Sequence, residues 1–174
     1  MAACVAARAP TRLLHTYALK ATGRGTAARA TFGTKHEAKT DTPKRDGGTD
    51  TAPQPMEMLL AALVGCEQAT AHFCARHMRT PDNGRVRLAS IDFAYEAERD
   101  ARGAASLPLS AAPPAPARLL AVRGTATVHL TSPSDAAGRS SAVAELARLV
   151  HARCPVHQTL AGAGVTISTR WEAG

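Results

Sequence analysis

Hydrophobic positions along this chain recur with two periods, and each change of period marks a predicted element. The stretch "PMEMLLAALVGC", residues 55 to 66, is apolar nearly all round at helical spacing, the pattern of a helix buried in a core. Pro55 suits the first helical turn, where its missing N–H would lack a partner anyway, and Glu57 lies where the helix dipole favours an acid. The helix is expected to run to about His77 and to stop before Pro81 and the "PDNG" turn. Residues 85 to 99 alternate, with Val86, Leu88, Ile91, Phe93 and Tyr95, which predicts a strand with a slip near Ser90. "DARG" reads as a turn, and the proline-rich "AASLPLSAAPPAPARLL" as an irregular connection. "AVRGTATVHLTS" alternates again as a strand.

A second helix is predicted over about 141 to 152, because Val143, Leu146, Ala147, Val150 and Cys154 form one stripe. "CPVHQTL" then opens a fresh turn or short helix, and "GVTISTRWE" closes as a strand. Before the first helix, residues 17 to 41 read as a β-hairpin turning at Gly23 and Gly25, followed by the loop "PKRDGGTDTAPQP". The order β-β-α-β-β-α-β predicts an α+β fold of antiparallel sheet around two long helices.

Length fits one domain, residues 16 to 174, behind a tail at 1 to 15. The chain's net charge of +7 is concentrated at its start. Six Lys/Arg and no acid precede Glu37, whereas residues 37 to 174 carry 15 bases against 14 acids. A nearly neutral globular part with 3% aromatic residues argues against nucleic-acid binding, which needs bases gathered on one face. The Ala/Arg-rich, acid-free opening "MAACVAARAPTRLLHTYALK" has two readings, a mitochondrial transit peptide or an ordinary frayed terminus. The expected location is accordingly the mitochondrial matrix or the cytoplasm. No run approaches 18 apolar residues, so no membrane span is expected.

Cysteines occur at 4, 66, 74 and 154, too sparse for a disulfide scaffold. Cys4 and Cys74 read as packing residues. Cys154 precedes Pro155, which suits the first position of a helix and would leave the thiol near an N-cap, a setting that lowers a thiol pKa. His157 could add positive charge, against its reading as a packed imidazole. Glu57 lies nine residues before Cys66, about half a turn away around the helix, so it is a helix-start residue and not a partner of that thiol. Thr70, Phe73 and His77 share the face of Cys66 and read as core or interface positions. Two thiols without a metal suggest peroxide reduction, in which one thiolate becomes sulfenic acid and a second condenses with it to a disulfide. Arg24, in the "TGRGT" turn, is a candidate cation beside the thiolate. Zinc held by Cys66, Cys74, His77 and Cys154 is a weaker reading, because their spacing matches no usual site.

"PMEMLLAALVGC", followed 88 residues later by "CPVHQTL", resembles the OsmC/Ohr family of osmotically inducible and organic hydroperoxide resistance proteins, particularly its OsmC-like branch. "TYALKATGRG", "HEAKTDTPKRDGGTDTAPQP" and "GVTISTRW" extend the resemblance over residues 16 to 172. It implies antiparallel sheet wrapped on two central helices in an intertwined homodimer, with active sites at the subunit interface. It further implies Cys66 as the thiol that attacks an organic hydroperoxide, Cys154 as the resolving thiol and Arg24 as the stabiliser of the thiolate. No cofactor or metal is expected; an external dithiol or lipoyl reductant would restore the thiols.

One position departs from the family pattern. Its hydroperoxide reductases carry Glu directly after the proline of the first motif, whereas this chain has Met56 there and Glu57 next. A one-residue shift turns a side chain by about 100° on a helix, so Glu57 does not inherit the role. The alternative expectation is therefore a non-catalytic relative acting in ligand binding, redox sensing or assembly.

Overall fold

A computed structural model describes residues 14–33, 35–80 and 84–174. The 1–13 part of the expected leader, with Cys4, and residues 81–83 of the "PDNG" turn lie outside the described residues. The chain divides into two compact units, Met1–Pro55 and Met56–Gly174.

In the first unit β1 (Lys20–Arg24), β2 (Ala27–Phe32) and β3 (His36–Thr40) form an antiparallel meander in that order. The expected hairpin thus has a third strand. Gly25 supplies the positive φ, 61°, that the tight β1–β2 turn requires. Little apolar surface is buried here, and the loop that follows is organised instead around the fully buried carboxylate of Asp41. Asp41 accepts hydrogen bonds from the hydroxyls of Thr26 (2.9 Å), Thr49 (2.6 Å) and Thr51 (3.1 Å), and from the backbone N–H of Thr42, Thr49 and Thr51. These donors hold its carboxyl far below the usual carboxylate range, the Thr49 hydroxyl contributing most.

The second unit holds α1 (Pro55–His77), β4 (Arg87–Arg99), α2 (Arg102–Ala105), β5 (Leu119–Ser132), α3 (Ala136–Arg153), α4 (Pro155–Gly162) and β6 (Thr166–Ala173). The strand order is β4-β5-β6, with β4–β5 antiparallel and β5–β6 parallel. The expected all-antiparallel sheet is therefore mixed. The helical crossover through α3 and α4 returns the chain to the end of the sheet where β5 begins, which makes the next strand parallel. Register shifts at Leu88 and Ser90 bear out the slip expected in β4. The second helix begins earlier than its apolar stripe indicates, because Asp135 caps it by accepting a 2.7 Å hydrogen bond from the Gly138 N–H.

Two apolar clusters form the core of this unit. One joins Ala71, Cys74, Ala75 and Met78 to Val128 of β5 and Val143, Leu146 and Val150 of α3. The other joins Leu63 to Leu119, Val122, Leu160 and Val165. Helix α1 buries a single stripe, Leu63, Glu67, Ala71, Cys74 and Ala75, not the full circumference that its composition predicts. The reason is that one sheet face and α3 cover one side of it. Met56 remains 38% and Phe73 55% exposed. By length and composition α1 would be able to cross a membrane, contrary to expectation, yet its buried stripe carries a hydrogen-bonded carboxylate, as a core helix does.

Candidate functional site

The end of α3, the start of α4 and the middle of α1 converge on a pair of thiols. Cys154 ends α3 and caps α4: its Sγ accepts a 3.4 Å hydrogen bond from the His157 N–H, and Pro155 occupies the first helical position, as the sequence predicts. Cys66 packs against the apolar cluster that contains Cys154, near enough for its thiol to help raise the Cys154 pKa, and both thiols are free. Cys66 is half-buried, whereas Cys154 is fully buried.

The cap does not lower the Cys154 pKa. Burial pushes the thiol up, outweighing the His157 N–H that favours thiolate; the Cys66 contact and the Glu67 charge push it in the same direction as burial. Zero exposure removes the water that would otherwise solvate a thiolate, and one N–H donor does not replace it.

Sequence reasoning overlooked Glu67, Tyr95 and His151. Glu67 follows Cys66 directly and points inward with no exposed surface. Its Oε2 accepts from the Tyr95 hydroxyl at 2.8 Å, and its Oε1 lies 3.0 Å from His157 Nδ1. Tyr95 reaches it from β4, opposite Gly124 of β5. Burial, followed by the Glu67 charge, raises the Tyr95 pKa well beyond the usual phenol range and keeps it a neutral donor. His151 stacks on His157 with ring centroids 4.6 Å apart and meets Trp171 edge-on at 5.8 Å. Its pKa is lowered, first by burial and then by His157, despite an opposing pull from Glu67. Ligand atoms of Glu67, His151 and His157 lie within 4.8 Å of one another. A signal for Glu67 was present: it occupies the same stripe as Leu63 and Ala71, four residues from each, and a charge on a buried stripe needs partners.

Arg24 ends β1 in the first unit and lines a groove there with Thr22, Arg29, Lys39 and Thr51. Cys74 is a buried packing residue, as expected, with its thiol pushed up by burial. Glu57 lies in the first turn of α1. Thr70 donates back to the Cys66 carbonyl at 2.8 Å, while Phe73 and His77 pair their rings at 4.5 Å on the exposed side of the helix. His77 therefore does not join a zinc set with Cys66, Cys74 and Cys154; its Nδ1 is engaged by the Phe73 carbonyl at 2.8 Å.

A family model described as OsmC-like protein matches residues 48–170. The chain resembles the crystal structure of an OsmC-like protein from Mycoplasma pneumoniae at a TM-score of 0.66 and 18% identity, covering 92% of this chain and 99% of that one. An organic hydroperoxide resistance protein, OsmC, from Legionella pneumophila gives 0.60 and 18%, with coverage of 92% and 99%. An organic hydroperoxide resistance protein from Elizabethkingia anophelis gives 0.59 and 16%, with coverage of 94% and 100%. At these identities the likeness establishes the fold. No curated protein sequence matches the chain.

Proposed function

The chain belongs to the OsmC-like protein family, and from that premise we propose that it is a thiol-dependent peroxidase acting on organic hydroperoxides. The observation that carries this reading is the packing of the half-buried Cys66 against the cluster that holds the buried, free Cys154. In the proposed reaction the Cys66 thiolate attacks the terminal peroxide oxygen and breaks the O–O bond. Cys66 becomes sulfenic acid, and the alkoxide takes a proton and leaves as an alcohol. The Cys154 thiol then attacks the sulfenic sulfur, forming the disulfide and releasing water. An external dithiol accepts oxidation in turn and restores both thiols.

The attacking thiolate needs a nearby cation, and the family resemblance supports Arg24 in that role. The apolar surface of α1 left open around Phe73 and Met56 supports a homodimer in which a second copy covers the helix. Turnover of cumene hydroperoxide with dithiothreitol or dihydrolipoamide tests the reading. Cys66→Ser abolishes turnover, whereas Cys154→Ser allows one peroxide per chain and leaves a sulfenic acid that dimedone traps. Undiminished turnover in Cys66→Ser overturns the assignment.

Met56 favours a second reading, a non-catalytic redox sensor or assembly component, because it stands where the family's reductases carry an acid. That reading expects no peroxide consumption and retention of the protein in a larger complex. A freely soluble dimer that consumes peroxide excludes it.

A further inference from the structure

Glu67, His151 and His157 do not enter the thiol reaction, yet α1, α3 and α4 bring them together. We propose that these three residues form a binding site for a divalent transition-metal ion, with zinc as the reference ion.

The donor set is one carboxylate and two imidazoles, which suits zinc and the later first-row ions, and three protein ligands leave a further coordination position open. One ligand pair already has the spacing that such an ion requires. Ligands at about 2.0–2.1 Å from a tetrahedral zinc are separated by about 3.3 Å, and Glu67 Oε1 already lies 3.0 Å from His157 Nδ1. The three ligand atoms fall within 4.8 Å of one another; His151, now stacked on His157 at 4.6 Å, would turn out of that stack to direct its nitrogen at the ion.

The surroundings provide the outer contacts that ligands need. Tyr95 donates to Glu67 Oε2 at 2.8 Å, which orients the carboxylate and leaves Oε1 facing the imidazoles. Thr169 Oγ1 lies 3.4 Å from His151 Nε2. Trp171 walls His151 on one edge. Glu67 is fully buried and, among the described residues, its polar contacts are Tyr95 and His157, with no Lys or Arg among them. A divalent ion would add a cationic partner for that buried carboxyl group beyond its two hydrogen bonds. The site is independent of the peroxidase reading, since it uses neither thiol.

The test is titration of the reduced, metal-free full-length protein with zinc by calorimetry, and with cobalt(II) followed by its visible spectrum. One ion per chain is expected, with a cobalt spectrum lacking sulfur-to-metal charge transfer and unchanged in a Cys66→Ser/Cys154→Ser variant. His151→Phe keeps the ring packing on His157 and Trp171 but removes the ligand nitrogen. Its affinity should fall by more than the roughly 10–100-fold that losing an outer contact costs, the loss expected for Tyr95→Phe. Circular dichroism confirms that both variants remain folded. The proposal is overturned if the wild-type chain binds no ion, if His151→Phe binds as tightly as wild type, or if binding disappears only when the thiols are removed.

Discussion

Glu67 Oε1 and His157 Nδ1 lie 3.0 Å apart across 90 residues of sequence, with both side chains almost wholly excluded from solvent. This pair ties the middle of α1 to the start of α4 and thereby places Cys66 beside Cys154, because each thiol is close in sequence to one member of the pair. Removing Glu67 would leave the His157 ring and the Tyr95 hydroxyl buried without their partner. Glu67→Ala should cost about 3–5 kcal/mol, the usual result of breaking a buried pair from one side. Glu67→Gln, which keeps the volume and an acceptor, should cost less. Urea denaturation of the two variants checks the order.

The thiols should differ in reactivity. Cys154 is buried and its pKa is raised, so little thiolate forms at neutral pH. Iodoacetamide at pH 7 should modify Cys66 first. Cys154 labelling should keep increasing as pH passes beyond the ordinary thiol range, where the thiolate of an exposed cysteine is already complete. Peptide mass spectrometry over time at several pH values distinguishes the sites. Equal rates at pH 7 would contradict the burial argument.

Asp41 gives the first unit an acid-sensitive loop. Its folded pKa is depressed below the unfolded value of about 3.9, so the unfolded chain takes up the proton first. The stabilisation is complete above roughly pH 5 and is lost as pH falls through 4 and below. Amide exchange at Thr42, Thr49 and Thr51, whose N–H groups bond the carboxylate, should accelerate over that window. In Asp41→Asn these amides should exchange rapidly at neutral pH already.

Gly124 lies directly opposite Tyr95 in the β4–β5 pair with φ of 147°. A Cβ there would approach the Ala94 carbonyl oxygen to 2.0 Å and the Tyr95 backbone to 2.9 Å. Gly124→Ala should therefore cost about 1–3 kcal/mol as an overpacked position. It should also displace the Tyr95 hydroxyl from Glu67, which tyrosine fluorescence and thermal melting would register together.

The homodimer proposal makes a contrast between two α1 and α3 positions. Leu146 is fully buried within the chain, so Leu146→Ala should cost about 2–5 kcal/mol at any protein concentration. Phe73 is 55% exposed, and Phe73→Glu should halve the mass measured by light scattering if a second copy covers it. An unchanged mass would remove Phe73 from the interface.

The sequence by itself determined the helices and strands whose signals are local. Pro55 and the apolar run define α1; alternation defines β4 and β5; Pro155 after Cys154 defines the cap that opens α4. The paired motifs around Cys66 and Cys154 also identified the family before any geometry was known. Tertiary structure decided what depends on partners distant in sequence. The apolar circumference of α1 did not reveal which face the sheet would cover, and the N-cap rule for Cys154 predicted a lowered pKa that full burial reverses. Glu67 looked like a polar interruption of a hydrophobic helix because its partners, Tyr95 and His157, come from 28 and 90 residues away. Local pattern reports where a side chain points on its own element; only packing determines which charges, donors and rings it meets there.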